Sequence, residues 1–440
     1  MAYNRKQRLN DNIKAIETAF ILDREQRTPT ARERLLLERY CGFGGLKCIL
    51  NPARELADAV HWAKSDLELF APTVELHRLI RKNSKNESEY KQLMDSLKQS
   101  VLTAFYTPSA ITEALTDVLK EHQIIPEKVL EPSAGIGAFV DSVLDNNPKA
   151  DIMAFEKDLL TGKILRHLHP EQKVRIEGFE KIEKPFNDYF DLAISNIPFG
   201  DVAVFDPSYT AMKGMRALVT RRIHNYFFVK ALDTVRDGGL VAFITSQGVL
   251  NAKNNSAARF MMLYHADLVS AIRLPNNLFT ENANTEVGSD LIILQKNSQK
   301  ESLRGDDNLL DTVYNDENRI PTNNYFLEHP ERIIHTTAKL DTDPFGKPAM
   351  IYTHEDGVEG IAEDLRKMLH EDFKKNLNLN RYLGIEETKA EEVKEVEETE
   401  KIEKTEKIKP SIEEKQSDTV VSLQKQEKPT DDAELSQKSN

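Results

Sequence analysis

The sequence predicts an α/β protein built on a doubly wound, mostly parallel sheet, and two features of the chain predict it. Between residues 128 and 296, short apolar runs rich in β-branched residues recur between helical stretches. The first of them leads directly into a glycine turn, SAGIGAFVDSVLDNNP, that opens a helix. Runs this short and this apolar suit strands covered on both faces, and their alternation with helices gives parallel crossovers.

In chain order the predicted strands are KVLEPS (128–133), DIMAFE (151–156), KVRIEG (173–178), FDLAISN (190–196), LVAFITS (240–246), DLVSAIRLP (267–275) and SDLIILQK (289–296). Upstream, residues 1–100 read as a helical region, because ILDREQRTPTARERLLLERY and VELHRLIRKNSKNESEYKQLMDSLKQS space their apolar residues three and four apart. Between these lies CGFGGLKCILNP, whose glycines lack the Gly-Lys-Ser/Thr of a phosphate loop. It reads as a turn between helices or a wall of the neighbouring site. Residues 301–383 read as loop and helix elements forming an extension packed on the core, and no chemistry is assigned to them. From about Glu386 the chain alternates Glu and Lys with almost no aromatic residue. Such a segment buries too little apolar surface to offset its chain entropy, so 384–440 is expected to be a disordered or transiently helical tail or linker.

Composition bounds the rest. With 440 residues, 40% of them hydrophobic, the chain supports one sizeable core with appended pieces. Its net charge of -13 is uneven: residues 384–440 hold 17 acids and 10 bases, which leaves -6 for residues 1–383. Contact with nucleic acid must therefore rest on a local basic patch. The absence of an apolar stretch in the first ten residues, and of any run of eighteen, makes a cytoplasmic protein without a membrane span the expectation. Two cysteines, Cys41 and Cys48, exclude a disulfide framework and are expected to be buried thiols. His167 and His169 alternate without further ligands, so they are expected on the surface and no metal site is expected.

In a sheet of this kind, ligands sit at the carboxyl ends of the central strands, where glycine lets a backbone approach closely. Glu131, Pro132, Ser133, Gly135 and Gly137 lie there, after the first strand. Glu156 ends the second strand about twenty residues on, where a carboxylate accepts hydrogen bonds from ribose hydroxyls. This pair fits a dinucleotide enzyme as well as a nucleoside-binding transferase. Upstream, Phe105-Tyr106-Thr107-Pro108 precedes a helix that Thr107 or Ser109 can cap and whose start Pro108 fixes.

The fourth strand runs into Asn196-Ile197-Pro198-Phe199-Gly200 at the far side of the same crevice. An exocyclic adenine amine is a poor nucleophile because its lone pair is delocalised into the ring. Two acceptors for its two N–H bonds draw that pair into an available form. The Asn196 side-chain oxygen and the Ile197 carbonyl can supply them, with Pro198 stiffening the turn and Phe199 stacking on an extruded base. The loop that follows carries Lys213, Arg216, Arg221 and Arg222, which either hold phosphates beside a flipped base or form a solvated basic helix.

These motifs carry a resemblance. The E-P-S-A-G-x-G loop resembles that of the class I methyltransferases, whose Rossmann-like seven-stranded sheet binds S-adenosylmethionine. By that resemblance Glu131, Gly135 and Gly137 surround the amino acid end of the cofactor and Glu156 its ribose. The Asn196–Phe199 loop is similar to the N-P-P-F motif of N6-adenine DNA methyltransferases. Tyr106, Thr107 and Pro108, placed before the glycine loop, match the Thr-Pro motif of their gamma order. DGGLVAFITSQGVL, IRLPNNLF, GSDLIILQK and NYFLEHPERI resemble more closely the methylase portion of methylase-helicase proteins of bacterial mobile elements. The resemblance implies methyl transfer to the N6 amine of a flipped adenine in DNA, with a specificity, helicase or nuclease partner. Alternatives are a methyltransferase for RNA adenine or protein glutamine, and a non-catalytic cofactor-binding subunit.

Three departures stand out. Ile197 replaces the first proline, as an aliphatic residue does in rRNA adenine dimethyltransferases. Gly178-Phe179-Glu180 replaces an Asp-Phe-like pair, so Phe179 packs either on the cofactor's adenine or in the core. Neither helicase motifs nor a usual target recognition domain is found, which leaves sequence selection to the N-terminal helices, the 200–225 loop or another subunit.

Overall fold

The computed structural model describes residues 4–385 except 104–105, 213, 281–285, 304, 306, 315–319 and 344–345. The tail expected from 384 onward falls, beyond Ile385, outside the described residues. Each of the seven apolar runs is a strand: β1 (Lys128–Glu131), β2 (Asp151–Phe155), β3 (Lys173–Arg175), β4 (Phe190–Asn196), β5 (Val235–Ser246), β6 (Ala266–Leu274) and β7 (Ser289–Lys296). They form one sheet in the order β3-β2-β1-β4-β5-β7-β6. The first five pair in parallel, and β7 runs antiparallel between β5 and β6. This is the doubly wound class I methyltransferase arrangement that the sequence implied. β5 starts earlier than its apolar run, because Val235 already pairs with Phe190 before an irregular stretch, Arg236 to Gly239, leads to the regular ladder from Leu240.

Successive side chains of a strand face opposite ways, and here both faces are buried. Val129, Leu192, Ile194, Ala242 and Ile244 enter one core, while Leu130, Ala193, Val241 and Phe243 enter the other. Four N-terminal helices, α1 (Arg5–Glu25), α2 (Ala31–Leu37), α3 (Leu67–Lys82) and α4 (Glu87–Thr103), precede the sheet. Next come α5 (Ser109–Glu121), α6 (Ala138–Asn146) and α7 (Leu159–Leu168), then α8 (Pro207–Thr210), α9 (Met215–Val219) and α10 (Ile223–Thr234). α5, α6 and the late helix Gly357–Asn376 cover the first face. α10 and the helix Ser256–His265 cover the second. A third core joins α1, α3 and α4 to Leu160, Ile164 and Leu168 of α7, so the N-terminal helices pack beside the sheet on α7.

The β6 edge does not end in open backbone. Ile333 bridges Arg273 in parallel, and the Ile334 amide donates to the Arg273 carbonyl at 3.0 Å. Arg273 itself faces Asp290 across the β6–β7 ladder and bonds it through Nε and Nη2 at 2.9 and 3.1 Å, both side chains being almost fully enclosed. Asn251 accepts a further bond from Arg273, and the guanidinium lies 4.1 Å from the centre of the Phe326 ring. Burial pushes the Asp290 carboxyl up, and Arg273 opposes that shift.

Removing one member of such a pair strands the other charge without water. Arg273→Met is expected to cost about 3–5 kcal/mol in urea unfolding. Arg273→Met combined with Asp290→Leu is expected to recover most of that loss, and a double variant as unstable as the single one would show that the ion pair itself stabilises the fold.

Candidate active site

The glycine turn after β1 is held by three anchors. The Ala134 amide donates to the Phe155 carbonyl at the end of β2, and the Gly137 amide to the Ala134 carbonyl, both at 2.8 Å. The Gly135 amide donates to Oε2 of Glu156 at 2.8 Å, while Oε1 of Glu156 accepts from the Asp158 amide at 2.7 Å. Gly135 and Gly137 take φ of +58° and +96°, which side chains rarely adopt. Space forbids a side chain as well: a Cβ on Gly135 would lie 2.7 Å from the Tyr106 ring, and one on Gly137 2.5 Å from Nε2 of His169. The turn then opens α6 with Gly137 as its N-cap.

Acids gather around this turn. Glu131 is buried and its Oε2 has no hydrogen-bond partner, and burial, with Asp141 and Glu156 nearby, raises its carboxyl well above the usual range. Glu156 is pushed up to about 8 by burial and by Asp158, against the backbone bonds it accepts. Asp158 is also raised by burial, and Asp141 is raised to about 6. Pro132 is enclosed beside Glu131, and the Ser133 carbonyl accepts from the Ser195 hydroxyl of β4 at 3.2 Å.

Thr107 and Pro108 meet this turn from α5, but not as a capping pair. The cap position is Pro108, with no side-chain capping bond, and the buried Thr107 hydroxyl has no hydrogen-bond partner. The expected role of Thr107 or Ser109 as cap is thus corrected: the chain enters α5 with Pro108 at the cap, and Thr107 faces inward. Phe105 lies outside the described residues. Tyr106 lays its ring against Gly135. An open crevice of about 290 Å³ lies between the starts of α5 and α6, lined by Tyr40, Cys41, Tyr106, Thr107, Ile136 and Asp141 among others. Tyr40 arrives from the N-terminal helical region, and its hydroxyl lies 3.1 Å from that of Thr161 on α7. Nothing local in the sequence marks Tyr40, because packing on α7 is what carries it here.

The residues present fit the cofactor that the sequence implies. An ammonium and a sulfonium are the positive charges of S-adenosylmethionine, and the turn offers them the acids Glu131 and Glu156, whose carboxyls burial pushes up. The orphaned Glu131 oxygen and Thr107 hydroxyl await a polar partner. Each oxygen of Glu156 keeps a second lone pair beyond its backbone bond.

On the other side of the Ser195 bond, β4 delivers Asn196 to the rim of the sheet. Ile197 extends the ladder by one step, since its amide donates to the Ile244 carbonyl of β5 at 3.0 Å and its side chain is buried. A proline there has no amide to give. Pro198 follows, partly exposed, and Phe199 packs edge-on against Phe279 with ring centres 6.3 Å apart. Phe179 is enclosed by Phe155, Tyr226 and Phe227, at 5.3–6.4 Å between centres.

The cations of the following loop divide. Arg216 makes a two-toothed bond to Asp233 at 2.6 and 2.9 Å. Arg222 bonds Asn254, Asn255 and Asp201. Arg221 is exposed, and Lys213 lies outside the described residues. His167 and His169 are not surface residues: His167 bonds Asp23 at 2.8 Å, and His169 is buried beneath Gly137, where burial lowers it to about 4. Cys48 is buried and Cys41 partly so, and both are free thiols. Among the described residues, no helix is long and apolar enough to cross a membrane.

The family model described as N-6 DNA Methylase matches residues 88–391. The chain is 29% identical over 201 residues to the Defense against restriction protein B of Escherichia phage P1, covering 44% of this chain and 8% of that protein. It is 25% identical over 173 residues to the Type II methyltransferase M.XamI of Xanthomonas campestris pv. amaranthicola, covering 36% and 33%. The chain therefore spans well under half the length of either curated relative. Among solved structures it is similar to the methyltransferase subunit of a type I restriction-modification system from Streptococcus thermophilus, at 11% identity and a TM-score of 0.38, covering 85% of this chain and 94% of that one.

The raised Glu156 has a consequence for the ligand-free protein. The folded chain holds this proton up to about pH 8, whereas the unfolded chain releases it near the ordinary carboxylate value. The contribution to stability is full below that ordinary value and is lost as pH rises towards 8. Glu156→Gln is expected to flatten the decline between pH 6 and 8 in thermal melts, and an unchanged slope would place the proton elsewhere.

Proposed function

The chain belongs to the N-6 DNA methylase family, and from that premise we propose that it transfers a methyl group from S-adenosylmethionine to the N6 amine of an adenine in DNA. The Ser195–Ser133 hydrogen bond carries this reading: it ties the strand that ends in Asn196 to the glycine turn, so both motifs open on one rim of the sheet. The cofactor supplies an electrophilic methyl group. Glu131 and Thr107 bind its amino acid end beside Gly135 and Gly137, and Glu156 accepts from its ribose. Tyr106 and Pro108 wall the crevice, and Phe179 supports the adenine side from the core behind it.

On the substrate side, Asn196 Oδ1 and the Ile197 carbonyl accept the two N–H bonds of the amine and hold its lone pair outward. Because Ile197 acts through its backbone, its buried side chain and ladder bond keep that carbonyl fixed. The replacement of proline is compatible with turnover on this account. Phe199 stacks on the extruded base, and most of the rate gain comes from positioning. Arg221, with Lys213, Arg216 and Arg222 on the same loop, contributes positive charge near the phosphates.

The order of Thr-Pro, glycine turn and Asn-Ile-Pro-Phe along the chain supports the gamma class. The similarity to a phage protein named for defence against restriction supports a role on mobile DNA. On this reading target selection rests on the N-terminal helices, the 200–225 loop or another subunit, with a specificity, helicase or nuclease partner.

Asn196→Ala is expected to abolish transfer of labelled methyl groups to unmethylated plasmid while cofactor affinity by calorimetry changes less than about twofold. Retained transfer would remove Asn196 from the mechanism. Gly135→Val is expected to weaken cofactor binding by about tenfold or more, since both φ and the Tyr106 contact oppose a side chain. Unchanged affinity would displace the cofactor from this turn.

A further inference from the structure

The loop that leaves the catalytic strand presents apolar side chains to solvent where cations were expected to dominate. Val202 and Phe205 are 61% and 78% exposed, and Met212, Met215 and Leu218 follow at 40–47%. An exposed phenylalanine on a loose loop would mean little, but Phe205 is held from both sides. The Val204 amide donates to the Thr220 carbonyl at 2.8 Å, and the Val204 side chain packs on the second core. Asp206 is buried, and its carboxylate accepts from Tyr226 at 2.7 Å, Lys230 at 3.2 Å, and the Ser208 amide and hydroxyl at 2.8 and 2.6 Å. Upstream, Asp201 pairs with Arg222 at 3.0 Å. The backbone is therefore fixed on either side of a ring that touches water.

Phe205 lies six residues beyond Phe199, so the chain holds it within roughly 20 Å of the catalytic loop. Extruding a base leaves a gap in the duplex, and the unstacking cost falls when a planar apolar group fills it. Resting on the reading of this chain as a DNA adenine methyltransferase, we propose that Phe205 is the wedge that enters the base stack beside the flipped adenine. Asp206, bonded to Tyr226 and Lys230 of α10, is the post that keeps the ring from folding back when the duplex presses on it.

The test uses the full chain and closed circular plasmid. Phe205→Ala is expected to lower methyl transfer to duplex plasmid by about ten- to hundredfold, the scale of one lost base–aromatic stack. Phe205→Trp restores it, and both variants bind S-adenosylmethionine with wild-type affinity. A wedge also unwinds DNA, so nicked plasmid resealed in the presence of wild-type protein shifts its linking number, and Phe205→Ala removes that shift. Transfer within about twofold of wild type, or transfer lost while the linking-number shift persists, would overturn the wedge; the former would mark the apolar loop as a protein contact. A wild-type chain that binds cofactor and modifies no DNA would instead bring down the functional reading on which the wedge rests.

Discussion

The geometry of this molecule depends on one clamp, the Glu156 carboxylate shared between the amides of Gly135 and Asp158. It joins the turn after β1 to the start of α7 across the end of β2. With the Ala134 bond to Phe155 and the Ser195 bond to Ser133, it fixes the carboxyl ends of three neighbouring strands relative to one another. A left-handed glycine turn has little intrinsic stability, and here an acid partly shut off from water holds it in place. The cost appears in the acids themselves: burial, with Glu156 and Asp141 near Glu131 and Asp158 near Glu156, raises the carboxyls of Glu131 and Glu156.

Much of this was legible in the sequence because both sheet faces are buried. A strand covered on two sides must be apolar almost throughout, and each such run stands out against the helices around it. β5 was legible only in its apolar half, since Arg236 to Gly239 fall where the β4–β5 register jumps from Val235 to Leu240 and display no pattern. The motif residues were legible for a different reason: glycine turns and strand-end asparagines are dictated locally by conformation and chemistry. What the sequence did not give away were positions set by distant packing. Tyr40 reaches the crevice because α1, α3 and α4 share a core with α7, and the half-buried placement of His167 and the buried one of His169 follow from the same packing. The partners of Arg216 and Arg222 were equally hidden, because a count of charges along a loop says nothing of the acids that fold against them.

Those pairings change how the 200–225 loop works. Cations tied to Asp233 and Asp201 set the loop's shape before any nucleic acid arrives. α8 and α9 are short, yet they rest on α10 through the Tyr209 hydroxyl bond to Asp233 and the buried Asp206 network. This segment, marked in the sequence only by its cations, is a braced platform with an apolar crest.

The bridge from Ile333 to Arg273 bears on how the chain can be dissected. An uncovered β6 would offer a row of unsatisfied amides and carbonyls to any other strand, the usual route to sticky, self-associating sheets. The segment after β7 occupies part of that row, and β3, at the opposite margin, is only three residues long. Truncation at residue 300, just past the end of β7, would therefore yield a fragment that keeps all seven strands with the glycine turn and the Asn196–Phe199 loop, yet is prone to precipitate.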